Sequence, residues 1–155
     1  MARDAKVLTV STTAFAGDRQ DRSGAAVADA LGRLGFAVVE RRVVPDGLAP
    51  VSGALAELVD GFAGLVVTTG GTGFSPSDVT PEATLLVVER EARGLPEAMR
   101  AASPLGPLSR GVAGTVGASL VVNLPGSPAG AVESLEAVSG VLDHALDLLA
   151  GGRPH

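Results

Sequence analysis

The residues of this chain best suited to chemistry lie in the segment TGGTGFSPSDVTPEA, residues 69–83. Glycine lets backbone N–H groups turn toward an anion and approach it closely, and a threonine adds a hydroxyl donor. Asp78, and Asp46 in the turn at residues 45–47, supply the carboxylate oxygens that Mg²⁺ prefers, usually shared with substrate phosphates. The segment is therefore a candidate site for a phosphorylated ligand and a divalent cation, although taken alone a plain turn is the favoured interpretation. We call its flexible part the glycine loop: Gly70, Gly71, Thr72 and Gly73.

A second group of small and polar residues follows other predicted strands. Ser11 ends the first strand, and the segment NLPGSP, residues 123–128, follows the last one. Because ligands of open α/β sheets bind beyond the carboxyl ends of the strands, these residues should share one rim with the glycine loop. The members of NLPGSP that we expect at this rim are Asn123, Pro125, Gly126 and Ser127.

Each of these pieces taken alone has a plainer interpretation. Glycine-rich turns are often tight connections, an Asp in Pro-Asp-Gly is commonly a turn residue, and Ser127 can simply cap the final helix. The glycine loop is not a Walker loop, because no Gly-Lys-Ser/Thr follows, and Pro76 occupies the third glycine position of a dinucleotide fingerprint. Two histidines and no cysteine argue against a zinc site, and His144 falls on the predicted solvated face of the last helix.

Apolar runs alternate with helix signals along the chain. Strands are predicted at residues 6–11, 36–44, 64–69 and at two segments around Gly117, the second at 119–124. Helices are predicted after an N-cap at Ser23, through residues 55–62, after an N-cap at Thr80 in TPEATLLVVERE, at 95–102 and at 129–150. The alternation indicates an α/β fold with a mostly parallel sheet and one antiparallel strand. No element is assigned to the final segment GGRPH, which ends in His155.

Composition limits the class of protein. The chain has 155 residues, of which 46% are hydrophobic and 19% charged, and this predicts one globular domain over residues 1–155. Aromatic residues make up only 3%, so few side chains could stack on bases, and a net charge of −5 argues against a nucleic-acid partner. No apolar run reaches the length of a membrane span, and cysteine is absent, so we expect a soluble cytoplasmic protein.

Three segments in order, TGGTGFSPSDVTPEA, LSRGVAG and NLPGSP, resemble the molybdenum-cofactor biosynthesis family that includes MogA, MoaB and the G domain of gephyrin. The segments DRSG, residues 21–24, and Pro-Asp, residues 45–46, also match. The resemblance implies a three-layer α/β/α fold and molybdopterin adenylyltransfer, in which AMP passes from Mg-ATP to molybdopterin and pyrophosphate leaves. It implies that the glycine loop holds phosphate, and that Asp46 and Asp78 are the catalytic acids and hold Mg²⁺. The further binding residues that it implies are Ser11, Ser23, Ser109, Asn123, Pro125, Gly126 and Ser127.

This chain departs from the family pattern at two positions. The first strand of the family often ends in Ser-Asp, whereas Thr12 follows Ser11 here. Many members carry Arg or Lys before the acid of the glycine-rich segment, whereas Ser77 precedes Asp78. One carboxylate and one positive charge that could serve the ligand are therefore missing. The candidates to compensate for the positive charge are Arg19, Arg22 and Arg110.

These departures leave a second function open. A MoaB-type protein of the same fold would bind molybdopterin without turnover and act as an oligomeric binding or assembly protein. The resemblance also implies a homotrimer or hexamer and a molybdenum insertase as a further partner, and the many Ala, Val and Gly suit close packing between subunits.

Overall fold

The computed structural model describes residues 2–152, so residues 153–155 of the GGRPH segment, with His155, lie outside the described part. The strands are β1 (Arg3–Val10), β2 (Phe36–Val44), β3 (Gly64–Thr69), β4 (Arg90–Glu91), β5 (Ala113–Val116) and β6 (Ser119–Leu124). The helices are α1 (Thr12–Phe15), α2 (Arg22–Arg33), α3 (Leu48–Val59), α4 (Thr80–Leu85), α5 (Gly94–Ala101) and α6 (Pro128–Leu149). A 3₁₀ turn at Gly106–Leu108 follows α5.

The six strands form one sheet in the order β2-β1-β3-β6-β5-β4. β1 pairs in parallel with β2 and β3, and β3 pairs in parallel with β6. β5 runs antiparallel to both of its neighbours. The predicted mostly parallel sheet with one antiparallel strand is thus confirmed. The chain moves to one side of β1 to form β2 and returns to the other side to form β3, so the strand order reverses between β1 and β3.

The edge strand β4 lies in a segment that the sequence predicts to start as a helix. The helix ends at Leu85, well before the end of TPEATLLVVERE. The N–H of Glu89 then donates to the carbonyl of Thr115 at 2.8 Å, and the N–H of Ala92 donates to that of Ala113 at 2.8 Å. Pairing with β5 therefore overrides the local helical signal, as tertiary context commonly does for short segments.

Helices cover both faces of the sheet and complete the three-layer fold that was predicted. On one face α2, α5 and α6 pack over a cluster that contains Leu31, Met99 and Leu135. On the other face α3 and α4 pack over a cluster that contains Leu55 and Ala83. β1, β3 and β6 each contribute side chains to both clusters, so apolar residues of these strands face both sides of the sheet.

Two predicted helix caps are wrong, and the serine and threonine hydroxyls concerned serve the site instead. Asp21, not Ser23, caps α2, because its carboxylate accepts from the N–H of Gly24 at 2.8 Å. Ser23 lies in the first turn, and its hydroxyl contacts that of Thr69 at the end of β3. Val79 occupies the cap position of α4, while the hydroxyl of Thr80 donates to the carbonyl of Gly70 at 2.9 Å.

Among residues 2–152, no helix combines the length and the apolar character that a membrane span requires.

Candidate functional site

The glycine loop adopts a backbone conformation that only glycine accommodates easily. Gly70 and Gly71 have φ values of 102° and 70°, in the left-handed region. A Cβ on Gly70 would lie 2.3 Å from the carbonyl oxygen of Val10, and one on Gly71 would lie 2.2 Å from the hydroxyl oxygen of Thr80. The loop therefore runs directly over the end of β1, where the strand order reverses and ligands of open α/β sheets bind.

The carbonyl groups of the glycine loop are engaged by protein donors, whereas most of its N–H groups are not. The hydroxyl of Thr80 donates to the carbonyl of Gly70 at 2.9 Å, and its N–H donates to that of Gly71 at 3.0 Å. The N–H groups of Gly71, Thr72 and Gly73 donate to no acceptor within residues 2–152. A turn with bound carbonyls and available amides is the arrangement that backbone anion sites use.

Arg110 holds the second half of the loop. Its N–H donates to the carbonyl of Thr72 at 2.8 Å, and its Nε donates to that of Gly73 at 2.7 Å. Its Nη2 donates to the carbonyl of Asp78 at 2.6 Å, and its Nη1 pairs with Glu82 at 2.7 Å. The hydrogen bond from Arg110 lowers the pKa of Glu82, and the same contact raises the pKa of Arg110. Every nitrogen of the guanidinium is thus committed to the loop, to the Asp78 segment or to Glu82.

Asp46 and Asp78 flank the glycine loop, and each has one oxygen bound within the protein. Oδ2 of Asp46 accepts from the hydroxyl of Thr12 at 2.9 Å, and Oδ1 lies 3.4 Å from the Cβ position of Gly71. Oδ2 of Asp78 accepts from the N–H of Ser75 at 3.0 Å. The second oxygen of each carboxylate accepts no hydrogen bond from residues 2–152.

The two carboxylates are a donor set that fits Mg²⁺ only together with further oxygen ligands. No group of three or more acidic or histidine side chains that could hold a metal converges among residues 2–152. Asp46 and Asp78 offer hard oxygen ligands, and Mg²⁺ is commonly held by one or two carboxylates together with substrate phosphates and water.

The NLPGSP segment closes the other side of the loop. Pro125 accepts a hydrogen bond at its carbonyl from the hydroxyl of Thr69 at 2.7 Å. A Cβ on Gly126 would lie 3.3 Å from Cα of Gly70, so the two loops are in near contact. Ser127 caps α6, because its hydroxyl accepts from the N–H of Gly130 at 3.1 Å. The start of the 22-residue helix α6 is thereby placed beside the glycine loop.

Asn123 is placed at the site, but its side chain serves the fold. Its Oδ1 accepts from the N–H of Val112 at 3.1 Å. Its Nδ2 donates to the hydroxyls of Thr68 and Thr84, each at 3.0 Å. The residue is buried, and these contacts use both donors of the amide. Asn123 therefore joins β3, α4 and the residue that precedes β5.

The loop separates two clefts, and every predicted site residue lines at least one of them. The apolar cleft, of about 610 Å³, has Met99, Leu105 and Leu108 along its wall. The predicted residues that line it are Gly71, Thr72, Gly73, Asp78, Ser109, Asn123, Pro125, Gly126 and Ser127. The polar cleft, of about 950 Å³, is lined by the predicted residues Ser11, Ser23, Asp46, Gly70, Gly71, Asp78 and Gly126. Gly71, Asp78 and Gly126 border both clefts, so the two meet at the glycine loop.

Positive charge is available in the polar cleft. Arg19 and Arg22 line it, and neither forms an ion pair within residues 2–152. Arg110, the third candidate, is bound to Glu82 and to loop carbonyls. Ser77, at the position where the family often has a cation, is exposed, and its hydroxyl contacts that of Ser75 at 3.3 Å.

Two features of the site were not predicted from the sequence. They are the apolar wall of the first cleft and the hydrogen bonds by which Arg110 holds the glycine loop. Leu105 and Leu108 lie in an irregular segment with a 3₁₀ turn, where no periodicity marks a wall. The role of Arg110 depends on carbonyls far away in sequence, and no local pattern reports such contacts. The contact between Thr12 and Asp46 could have been predicted, since a parallel pairing of the first two strands places the two residues opposite each other.

The chain is similar to known proteins over nearly its whole length. The family model described as "Probable molybdopterin binding domain" matches residues 6–144. A molybdopterin adenylyltransferase of Helicobacter pylori strain J99 is 38% identical over 152 residues, which cover 94% of this chain and 86% of that protein. The enzyme of the same name from Escherichia coli K12 is 46% identical over 105 residues, 64% of this chain and 54% of that protein.

One relative is much longer than this chain. The Drosophila melanogaster molybdenum cofactor synthesis protein cinnamon is 35% identical over 150 residues, which cover 92% of this chain. The match spans only 25% of that protein.

Solved structures share the fold. MoaB from Thermus thermophilus, described as a molybdopterin biosynthesis enzyme, has a TM-score of 0.90 at 44% identity and covers 98% of each chain. The molybdopterin biosynthesis Mog protein of Mycobacterium ulcerans has a TM-score of 0.88 at 43% identity, covering 96% of this chain and 99% of that one. The family resemblance and the fold expected from it are confirmed. The chain belongs to the molybdopterin-binding domain family of molybdenum cofactor biosynthesis proteins.

Proposed function

We propose that this protein acts in molybdenum cofactor biosynthesis as a molybdopterin adenylyltransferase. An oxygen of the molybdopterin phosphate attacks the α-phosphorus of ATP, the bond from that phosphorus to the β-phosphate oxygen breaks, and pyrophosphate leaves. The observation that carries the proposal is the glycine loop, which has unbonded N–H groups at Gly71, Thr72 and Gly73 between two carboxylates. Relatives that bear this activity in their names support it.

The two clefts suit a reaction that joins two substrates. They meet at Gly71, Asp78 and Gly126, so ligands bound in each would have their reacting ends beside the glycine loop. Phosphoryl and nucleotidyl transfer need alignment and charge stabilisation more than covalent help from the protein. The loop amides supply the second requirement by donating to phosphate oxygens without a side chain that would occupy the cleft.

Asp46 and Asp78 would hold Mg²⁺ through the carboxylate oxygens that no protein donor within residues 2–152 binds. When bound, Mg²⁺ neutralises charge on the triphosphate and on the leaving pyrophosphate. Asp46 is oriented by Thr12, and Asp78 by the N–H of Ser75. Arg19 and Arg22 would add positive charge in the polar cleft.

The experiment compares Asp78→Asn with the wild type. The protein is mixed with molybdopterin, ATP and Mg²⁺, and adenylylated molybdopterin is quantified chromatographically. We expect product from the wild type and a loss of at least about 100-fold in turnover for Asp78→Asn, since the amide cannot serve as an anionic ligand. Asp29→Asn makes the same change on the exposed face of α2, outside both clefts, and should retain wild-type turnover. Equal turnover of Asp78→Asn and the wild type would remove Asp78 from the mechanism.

The product assay, combined with calorimetry, distinguishes the adenylyltransferase from the MoaB-type binding protein. That alternative is motivated by Thr12 and Ser77, which stand where the family often has a carboxylate and a cation. Molybdopterin binding in calorimetry, with no consumption of ATP and no adenylylated product, would favour a binding protein. The two arginines that line the polar cleft, Arg19 and Arg22, support the enzyme instead.

We further propose a cytoplasmic homotrimer or hexamer that passes its product to a molybdenum insertase. Exposed apolar side chains such as Leu86, Val141 and Leu148 provide surface for self-association. Light scattering that gives the mass of a monomer at micromolar concentration would contradict the oligomer. The insertase step is the consumption of the adenylylated pterin, which a coupled assay with purified insertase would detect.

A further inference from the structure

Thr12 and Asp46 are joined by three hydrogen bonds. The hydroxyl of Thr12 donates to Oδ2 of Asp46 at 2.9 Å, and its N–H donates to the same oxygen at 3.3 Å. The N–H of Asp46 in turn donates to the Thr12 hydroxyl at 3.1 Å. The Thr12 hydroxyl therefore accepts one hydrogen bond and donates another, and this fixes the direction of its O–H bond toward Oδ2.

The strand register brings the two residues together. β1 and β2 pair with Val10 opposite Val44, and the N–H of Ser11 donates to the carbonyl of Val44 at 2.9 Å. Thr12 and Asp46 each lie two residues beyond this pair, so their contact continues the register past the end of the sheet. The sheet thus fixes both backbones, and the Thr12 hydroxyl fixes the carboxylate.

We infer that Thr12 is a positioning residue that leaves Oδ1 as the one oxygen of Asp46 available to a magnesium–nucleotide ligand. The inference rests on the proposed role of Asp46. Oδ2 accepts both donors of Thr12, whereas Oδ1 accepts none from residues 2–152 and lies 3.4 Å from the Cβ position of Gly71, toward the loop. A carboxylate that is already oriented loses less side-chain entropy when it meets the ligand.

The expected loss of Mg²⁺ affinity without the Thr12 hydroxyl can be set by comparison with other metal-binding carboxylates. Hydrogen-bond partners that orient a metal-binding carboxylate typically change metal affinity or activity by about 10- to 100-fold when they are removed. Mg²⁺ here would be held largely by phosphates and water, so the lower end of that range, about 10-fold, is expected.

The experiment measures ligand binding, not turnover. Thr12→Val keeps the branched shape and removes the hydroxyl, and Thr12→Ser keeps the hydroxyl. Calorimetry with α,β-methylene-ATP, which cannot be cleaved at the reacting bond, gives the Mg²⁺ concentration for half-maximal enhancement of binding. We expect that concentration to rise about 10-fold in Thr12→Val and to stay within about 2-fold of wild type in Thr12→Ser. Affinity without Mg²⁺ should be unchanged in both.

Thr13→Val is the matched control. It removes the same group from the next residue, which also lines the polar cleft but whose hydroxyl contacts the Ser11 hydroxyl at 3.3 Å and not Asp46, so it also reports any general disturbance of that cleft. Its Mg²⁺ dependence should equal that of the wild type. Because Thr12 and Thr13 are exposed, all three variants should fold, and thermal unfolding checks this.

Two results overturn the inference. One is an unchanged Mg²⁺ dependence in Thr12→Val, and the other is an equal loss of affinity with and without Mg²⁺, which would indicate a general disturbance of the polar cleft. The inference and the proposed function can fail separately. Wild-type turnover together with an unchanged Thr12→Val refutes only the inference. A shift of about 10-fold in analogue binding without any adenylylated product from the wild type refutes only the function.

Discussion

Replacing Gly71 by alanine tests whether the glycine loop is held as described. At φ = 70° an alanine is in the left-handed region, which costs about 1–2 kcal/mol. Its Cβ would lie 2.2 Å from the hydroxyl oxygen of Thr80, so that hydroxyl must move and leave the buried carbonyl of Gly70. An unsatisfied buried acceptor costs about 1–3 kcal/mol. Together these terms predict that Gly71→Ala lowers the free energy of unfolding by about 2–5 kcal/mol.

A double-mutant cycle isolates the contact with Thr80. In a Thr80→Ala background the clashing hydroxyl is already absent, so Gly71→Ala should cost only the backbone term of about 1–2 kcal/mol. The coupling energy between the two positions should therefore be about 1–3 kcal/mol, measured by urea unfolding of the four proteins. Strictly additive effects would refute the assignment of the Gly71 requirement to Thr80. A Gly71→Ala protein as stable as the wild type would refute the loop conformation itself.

Two further predictions concern a helix position in α3 and the ion pair between Arg110 and Glu82. Gly53 lies exposed within α3 with nothing within 4 Å of its Cβ position, so Gly53→Ala should stabilise the protein by about 0.5–1 kcal/mol in urea unfolding; a loss of stability would contradict the helix there. The hydrogen bond from Arg110 lowers the pKa of Glu82 below its usual 4.5. The contribution of this ion pair to the free energy of unfolding is therefore complete above about pH 4.5 and is lost as pH falls through the lowered pKa of the folded state. The urea midpoint of Glu82→Gln should fall less steeply than that of the wild type between about pH 5 and pH 3, and parallel curves would contradict this.

The central strands could be predicted from sequence because their burial is uniform. Gly64–Thr69 and Ser119–Leu124 are buried at every residue, so each contains a continuous apolar run, residues 65–67 and 120–122, with polar residues only near the strand ends. Phe36–Val44 was also predicted with its observed bounds. The long final helix was predicted within one residue at each end, because Leu135, Val138 and Leu142 mark a single buried face.

The elements that sequence did not predict depend on distant partners. β4 exists because backbone groups near residues 89–92 pair with β5, and two residues carry no periodicity of their own. α1 is a single turn capped by the hydroxyl of Ser11, too short for a pattern to show. Ser23 and Thr80 are residue types that commonly cap helices, but their hydroxyls bind Thr69 and Gly70 across the rim.

The candidate site divides in the same way. Residue types and the rule for strand ends brought all the predicted site residues to the rim of two adjoining clefts. What each side chain does there depends on its neighbours in space. The side chain of Asn123 forms hydrogen bonds with Val112, Thr68 and Thr84. The side chain of Arg110 binds loop carbonyls and Glu82. Such commitments follow from the fold and cannot be inferred from local spacing.

The most direct test of the central claim is the fate of the phosphates of ATP. The wild-type protein is incubated with molybdopterin, Mg²⁺ and ATP labelled on either the α- or the γ-phosphate, and the products are separated. If the protein transfers adenylyl groups, the α label appears in the pterin product and the γ label in pyrophosphate, in equal amounts, and both depend on molybdopterin. Release of the γ label as inorganic phosphate, or intact ATP beside bound molybdopterin, would contradict adenylyl transfer.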